Sequence, residues 1–403
     1  MKTAATRTRM TLACLLTSIF MVTLLAGSAD AVPAFARKYK MSCTTCHAPA
    51  PRLKAYGEDF AGNAFQLEEG QEPPRAFYDT GDDLLMLQRD IPIAIRFDAF
   101  AHHTHYSGKE GEGMTDLKTP YGVKLMSGGN ISKSIGYYFY FYMSEKGEVA
   151  GIEDAYIHFN NLFGSELDIM VGQFQISDPL FKRELRLTFE DYQIYKLRIG
   201  DTPTNLAYDR GLMITYTAPC GTDLVFEVVN GNGKDAVDET GYFDAEQWKN
   251  VLLRATHGFG PVRLGGFAYS ADSRAPVWND YVHNKHMYWG IDGTIDFKDI
   301  FQVNVQYLER TDDNPYYDPL QANEKKTVGG FVEMVWAVNG ADGRAFVTGL
   351  VNMIDSDIDK YDYMSGTLNF SYLLRRNVRF LVEATYEDER ERYDFITGFV
   401  SAF

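Results

Sequence analysis

The stretch "IPIAIRFDAFAHHTH", residues 91–105, alternates apolar and polar side chains with a period of two. Ile95 and Phe97 fall on one face of an extended strand, whereas Arg96 and Asp98 fall on the other. An apolar stripe opposite a charged one is typical of a strand between lipid and a polar lumen. The stretch therefore predicts a transmembrane β-strand.

Segments with the same alternation follow up to the C-terminus, and the links between them are long and short in turn. Such sorting is typical of a membrane barrel with long outer loops and short periplasmic turns. We therefore expect an all-β fold, a 16-stranded antiparallel transmembrane β-barrel of porin type over residues 92–403, with both termini periplasmic. The predicted strands are 92–106, 119–128, 134–144, 151–160, 166–174, 208–217, 222–230, 248–257, 262–271, 286–297, 300–310, 326–338, 344–354, 361–373, 377–388 and 392–403.

The composition agrees with an exported barrel. Aromatic residues make up 14% of the chain, and the stretch "FITGFVSAF" ends it on Phe403, which resembles the terminal signature of outer-membrane barrels. A net charge of −16 disfavours nucleic acid as a partner.

The N-terminus predicts a signal peptide over residues 1–31. It has a basic start, an apolar stretch over residues 10–26 and the small-residue cleavage site Ala29-Asp30-Ala31. We expect the mature protein in the outer membrane of a Gram-negative bacterium, in contact with its lipid.

The motif "CTTCH", residues 43–47, matches the attachment pattern of a c-type haem. Cys43 and Cys46 would form the two thioether bonds of one covalently bound haem c, and His47 would be the proximal iron ligand. A redox C-x-x-C motif would lie in a βαβ context, and a zinc site would need a further ligand nearby. The sequence around the motif shows no βαβ pattern, which argues against a redox motif. No Cys or His occurs between residues 48 and 101, which argues against a zinc site.

The second axial ligand stays open between Met86 and His102. A methionine at that position would raise the reduction potential of the haem.

Two further segments each have two interpretations. The aromatic strand "IGYYFYFYM", residues 135–143, predicts either a membrane-interface girdle or a wall for a bound group. The long link 175–207 predicts either a constriction inside the lumen, with arginines able to pair with haem propionates, or an exposed amphipathic loop.

A resemblance joins the motif to the barrel. The stretch "FAR" at residues 35–37 precedes C-x-x-C-H, and "PRL" at 51–53 and "GEDF" at 57–60 follow it, before a porin-like barrel. This arrangement resembles the fused monohaem cytochrome c–porin family of bacterial outer membranes, best known from iron-oxidising bacteria. The resemblance implies electron transfer between an extracellular donor, such as Fe(II), and periplasmic c-type cytochromes or other carriers. It carries Cys43 and Cys46 over as haem attachment and His47 as the proximal ligand.

On this interpretation residues 32–91 form a short, plug-like monohaem segment inside the barrel or at its mouth. A segment of that length cannot bury both faces of a haem with its own core. Two alternatives share the same residues. One is a substrate-selective porin whose haem segment is a plug or a redox sensor, and the other is the same conduit running outward as a reductase. The sequence contains no catalytic motif, so any enzymatic activity would be the oxidation of Fe(II) itself.

Overall fold

The computed structural model describes residues 34–67, 77–82, 84–85, 87–107, 113–237, 241–244, 246–278 and 280–403, so the predicted signal peptide lies outside the described residues. Within these ranges sixteen antiparallel strands close a barrel in which each strand pairs with the next and the last pairs with the first, which confirms the predicted architecture. The strands are β1 Ile93–Tyr106, β2 Met114–Ser132, β3 Ile135–Glu145, β4 Gly151–Phe159, β5 Leu167–Gln175, β6 Tyr208–Thr217, β7 Thr222–Val229, β8 Asn250–Phe259, β9 Val262–Val277, β10 Asp280–Phe297, β11 Phe301–Asp312, β12 Lys325–Ala337, β13 Ala345–Ser356, β14 Tyr363–Arg375, β15 Val378–Glu387 and β16 Arg392–Ala402.

The barrel is closed by its first and last strands. Pairing between β1 and β16 runs from Tyr106↔Arg392 to Arg96↔Ala402. The amide of Ile95 donates to the carbonyl of Phe403 over 2.7 Å, and the reverse bond measures 2.8 Å. Because hydrocarbon offers no partner for a backbone N–H or C=O, this closure removes the free edges that an open sheet would expose to lipid.

The two faces of each strand follow the predicted alternation. On β16 the side chains of Phe395 and Phe399 are 50% and 45% exposed, whereas Asp394 and Ile396, on either side of Phe395, are buried. On β15 Arg379 and Glu383 are buried in the lumen, as the sequence predicts. Large apolar side chains on the outside and polar ones inside define a lipid-facing wall around a polar interior.

One predicted link is wrong. The sequence predicts a loop over 272–285, but β9 and β10 continue through that range as a paired hairpin up to Val277↔Asp280. Antiparallel pairing satisfies the backbone groups of both strands whatever their side chains, so the ladder continues where the sequence pattern weakens. The other links keep the expected parity. One end of the barrel carries short turns and the other carries the long connections, apart from the short link 388–391 between β15 and β16.

Helices are few and short in the part of the chain that the structure describes. They are α1 Ala34–Tyr39, α2 Ala55–Gly62 and α3 Gln193–Lys196, besides short 3₁₀ turns. Among the described residues no helix is long and apolar enough to cross a membrane.

The long link between β5 and β6, residues 176–207, folds into the lumen, and we call it the lumen loop. The ring of Tyr192 lies parallel to that of Phe331 on β12, with 4.0 Å between ring centroids. The hydroxyl of Tyr195 donates to Oε1 of Gln306 on β11 over 2.7 Å. Of the two interpretations of this link, its position inside the lumen is therefore confirmed.

The lumen loop is also held by charged groups. The carboxylate of Glu383 on β15 accepts hydrogen bonds from the amides of Phe189 and Glu190, at 2.7 and 2.8 Å. Within the loop Asp191 meets the guanidinium of Arg183 at 2.5 Å and two further cations. Although burial opposes it, the neighbouring Arg186, Arg183 and Lys196 side chains hold the pKa of Asp191 below its usual range. The loop therefore carries a paired internal charge cluster.

We predict that Glu383→Ala loosens the lumen loop. Each of the two amides loses its acceptor, and an unsatisfied buried group costs about 1–3 kcal/mol. In detergent-solubilised protein, trypsin should cleave after residues 182, 183 and 186 several-fold faster than in the unmodified chain. Glu383→Gln keeps one acceptor oxygen and should give an intermediate rate. Equal rates in all three proteins would contradict this role for Glu383.

Candidate functional site

The N-terminal segment 34–67, which we call the mouth segment, covers the short-turn end of the barrel. Its polar side chains reach strand ends and turns on both sides of that opening. Because these contacts are spread around the rim, the mouth segment is positioned by the barrel as a whole. The pairs are Arg37 Nη2 with Ile93 O (3.0 Å), Lys38 Nζ with Asn130 Oδ1 (2.9 Å), Arg52 Nη2 with Asp296 Oδ2 (3.2 Å), Lys54 Nζ with Asp342 Oδ1 (2.8 Å), Glu58 Oε2 with Arg263 Nη1 (3.5 Å) and Asn63 Oδ1 with Asn160 Nδ2 (2.6 Å).

The apolar core of the mouth segment is completed by the barrel wall. Phe35 of α1 stacks on Phe65 at 5.1 Å between centroids, and Phe65 in turn stacks on Tyr138 of β3 at 5.3 Å. Gly136 allows this approach, since a Cβ there would lie 2.7 Å from Cβ of Ala64. The segment and the wall therefore share one small aromatic cluster, as expected for a segment too short to form a core alone.

The cysteine motif forms a tight local fold. Residues Cys43–Thr45 make a 3₁₀ turn whose N-cap is Ser42, and the amide of His47 donates to the carbonyl of Cys43 over 2.9 Å. Helix α2 packs directly against this turn at Gly57, where an added Cβ would lie 2.4 Å from the carbonyl oxygen of Cys46. The turn places Cys43, Cys46 and His47 side by side, with α2 behind them.

The imidazole of His47 is oriented by main-chain carbonyls. Its Nδ1 lies 3.0 Å from the carbonyl oxygen of Pro51 and 3.3 Å from that of Arg52. Because carbonyl oxygens only accept hydrogen bonds, Nδ1 must carry the proton, and Nε2 keeps its lone pair. Burial lowers the pKa of His47, which favours this neutral form. An oriented neutral imidazole with a free Nε2 is suited to bind a metal.

A cavity lies between the mouth segment and the barrel wall. It holds about 1710 Å³ of space not filled by protein atoms, including its open entrance. Cys43, Cys46 and His47 line it from the mouth segment, and Tyr138 and Tyr140 line it from β3. The inner side chains of the aromatic strand are therefore a wall of this cavity. Both cysteines are free, and burial raises the pKa of each thiol.

The cavity is lined by more cations than anions. Five basic side chains line it against two carboxylates, those of Asp154 and Glu184. Lys124 on β2 binds Glu184 of the lumen loop at 3.1 Å, while Nε of the buried Arg379 has no hydrogen-bond partner. Arg96 and Lys182 also pair with Asp98 at 2.9 Å and Asp178 at 2.8 Å behind the lining. The unpaired donor of Arg379 suits a ligand that carries carboxylates. The five basic residues are Arg96, Lys124, Lys182, Arg376 and Arg379.

The predicted site residues separate into three groups. Cys43, Cys46 and His47 lie together at the cavity. His102 lies further along β1 and is not among the residues that line it; its Nε2 lies 2.8 Å from Asp394 and its Nδ1 2.7 Å from Lys118. These contacts occupy both ring nitrogens of His102. Met86 lies outside the described residues.

Sequence reasoning missed the residues that the barrel contributes. The alternation in "VKLMSG", residues 123–128, places Lys124 and Met126 on the inner face of β2, so their lumen position could have been predicted. Their closeness to Cys43 could not, because it depends on where the mouth segment docks.

The fold and the site define the class of protein: a porin-like β-barrel of the bacterial outer membrane, in contact with membrane lipid. Among solved structures the chain is similar to the outer-membrane protein OmpT of Vibrio cholerae, in a form lacking loop L8 (TM-score 0.54, 12% identity, 78% of this chain and 99% of that chain). It is likewise similar to an anion-selective porin from Comamonas acidovorans (TM-score 0.54, 10% identity, 78% and 99%) and to the outer-membrane channel DcaP of Acinetobacter baumannii (TM-score 0.54, 13% identity, 78% and 97%). No family model and no curated protein matches the sequence.

We predict that Arg52→Ala weakens docking of the mouth segment. Arg52 is buried, and it donates to Oε1 of Gln302 at 2.8 Å as well as to Asp296. Hydrogen bonds to charged groups contribute about 1.5–3 kcal/mol each. Amide hydrogen exchange over residues 43–63 of the solubilised protein should become faster.

The matched control is Lys54→Ala, because the partner of Lys54, Asp342, has a 72% exposed side chain. An exposed pair of this kind contributes about 0–1 kcal/mol. Exchange in the Lys54 variant should stay close to that of the unmodified chain. An equal effect of both substitutions would contradict the anchoring role of Arg52.

Proposed function

We propose that this protein is an outer-membrane electron-transfer protein that carries one covalently bound haem c in the cavity at the mouth of the barrel. The observation that carries the proposal is the joint placement of Cys43, Cys46 and His47 at one cavity between the mouth segment and the barrel wall. A bound haem would supply a centre that accepts and releases one electron.

The residues present fit such a group. The thiols of Cys43 and Cys46 would form thioether bonds, and the free Nε2 of His47 would bind the iron. The basic side chains that line the cavity would pair with the two propionates, since guanidinium and ammonium groups form strong hydrogen bonds with carboxylates. Tyr138 and Tyr140 would cover the porphyrin from the barrel side, so the barrel supplies the shelter that the mouth segment lacks.

The packing of the lumen loop inside the barrel favours electron transfer over solute passage. The lumen loop is packed against the inner faces of β11, β12 and β15 through Gln306, Phe331 and Glu383. This packing narrows the path that a solute would take, whereas an electron needs no open path. We infer that the short-turn end, which holds the cavity, faces the periplasm, as short turns do in outer-membrane barrels. Both chain termini would then be periplasmic.

The partners follow from this orientation. Periplasmic c-type cytochromes or other soluble carriers would approach the mouth segment, and an extracellular reductant such as Fe(II) would act at the long-loop end. The same residues would serve a conduit that runs outward as a reductase. The second candidate function is a substrate-selective porin whose mouth segment is a plug or redox sensor. The likeness to an anion-selective porin and the excess of cations in the cavity favour this alternative.

The test is the double substitution Cys43→Ala/Cys46→Ala in whole cells. It should abolish covalent haem staining and reduce Fe(II)-dependent electron transfer to background, with the heat-modifiable folded barrel still present. The matched control is Cys220→Ala, because Cys220 is exposed in the turn between β6 and β7, away from the cavity. That variant should keep haem and activity.

Three other outcomes are informative. Unchanged Fe(II) oxidation together with altered uptake of small anions would contradict the conduit and favour the porin. The outward direction would be favoured by two results together: the unmodified protein does not oxidise Fe(II), and the double substitution abolishes electron delivery to an extracellular acceptor. Absence of covalent haem in the unmodified protein would overturn the proposal altogether.

A further inference from the structure

We propose that Met126 of β2 is the second axial ligand of the iron, opposite His47. This inference rests on the proposed function, because it assumes that a haem occupies the cavity. Met126 differs from the two ligands that the sequence suggests. With Met126 as ligand, the iron site would be formed by the mouth segment and the barrel wall together.

The strand register places the Met126 side chain inside the barrel. Met126 lies directly opposite Ala94 on β1 and Tyr140 on β3. Residues that face each other across antiparallel strands point to the same side of the sheet. Ala94 and Tyr140 are buried and line the cavity, and Met126 lines it between them.

The surface of Met126 is uncovered towards the cavity. Its neighbours on the inner face, Ala94, Lys124 and Tyr140, are 5%, 4% and 3% exposed, whereas Met126 itself is only half-buried. Since its side chain points inward, the uncovered part of the thioether faces the cavity. Ala94 has only a methyl group at the opposing position, which leaves room for a group beside Met126.

Met126 and His47 lie on different walls of the cavity. The mouth segment reaches β2 at Gly128, where an added Cβ would lie 3.1 Å from Cζ of Phe35. Met126 is two residues further into the barrel, about 7 Å along the strand. A porphyrin attached at Cys43 and Cys46 would therefore have the mouth segment with His47 on one face and the wall with Met126 on the other.

The competing ligands are less well placed. Among the described lining residues, the thioether and imidazole groups belong to Met41, His47 and Met126. Met41 lies two residues before Cys43, and it packs against the aromatic cluster of Tyr39 and Phe60 within the mouth segment. It therefore belongs to the same wall as His47. Lys124 is paired with Glu184, so its ammonium group is engaged elsewhere.

The chemistry of a thioether ligand suits an electron carrier. Methionine sulfur is neutral and polarisable, and its coordination raises the reduction potential of a haem relative to a second imidazole. The iron–sulfur bond is dative, so its formation needs no proton and no further reactant. Because the two ligands come from different parts of the chain, undocking of the mouth segment would also break the Met126 bond.

The experiment uses the full-length holoprotein purified from outer membranes, with Met126→Leu, Met126→His, Met41→Leu and Met143→Leu. Met143 of β3 is 48% exposed and serves as the matched control, because its substitution removes a thioether on the same sheet away from the cavity. The readouts are the long-wavelength sulfur-to-iron absorption band of the ferric state, binding of carbon monoxide to the ferrous state, and the midpoint potential.

We expect Met126→Leu to lose the sulfur-to-iron band and to bind carbon monoxide, while Met41→Leu and Met143→Leu keep the band. Met126→His should remain six-coordinate with a lower midpoint potential, which separates loss of a ligand from misfolding. The inference is overturned if Met126→Leu keeps the band, if Met41→Leu loses it, or if the unmodified protein lacks it. Each of these three outcomes concerns the second ligand only and leaves the haem attached. Absence of covalent haem from the unmodified protein would instead contradict the proposed function.

Discussion

The structure depends on the need of every backbone N–H and C=O in the membrane to find a partner within the protein. Hydrocarbon offers none, so the strands must form a closed ring, and the bonds between Ile95 and Phe403 complete it. Closure in turn imposes the alternation of side chains, because each strand has lipid on one side and the lumen on the other. The end of the chain is therefore part of the barrel wall, and the segment before β1 is brought to the short-turn mouth.

A closed barrel with a polar inner face leaves polar groups that need partners, and the chain supplies them itself. The lumen loop satisfies Gln306, Asn352 and Glu383 through hydrogen bonds. At the short-turn end the mouth segment does the same for Asp296 and Asn160. The cavity is the space between the lumen loop and the mouth segment. For that reason it is lined by aromatic and basic side chains of the barrel and the loop, and by the cysteine motif of the mouth segment.

The two halves of the candidate site differ in how far they could be predicted. Cys43, Cys46 and His47 are adjacent in sequence, so a single 3₁₀ turn brings them together and a local pattern is enough to find them. Met126, Tyr140 and Arg379 lie at least 79 residues beyond His47 in the chain, on strands whose order around the barrel is set by pairing. Proximity to the motif therefore arises from register and docking.

The choice of His102 as a candidate ligand shows the limit of the pattern. Alternation correctly places it inside the barrel, but alternation carries no information on depth along the strand, and His102 lies near the far end of β1 beside Asp394. By itself the sequence determined the strand pattern, the parity of the links and the haem-type motif, because each depends on neighbouring residues and their periodicity. Only the tertiary structure decided that the lumen loop lies inside, that the mouth segment spans the opening, and which wall faces His47, because these depend on contacts between distant parts of the chain.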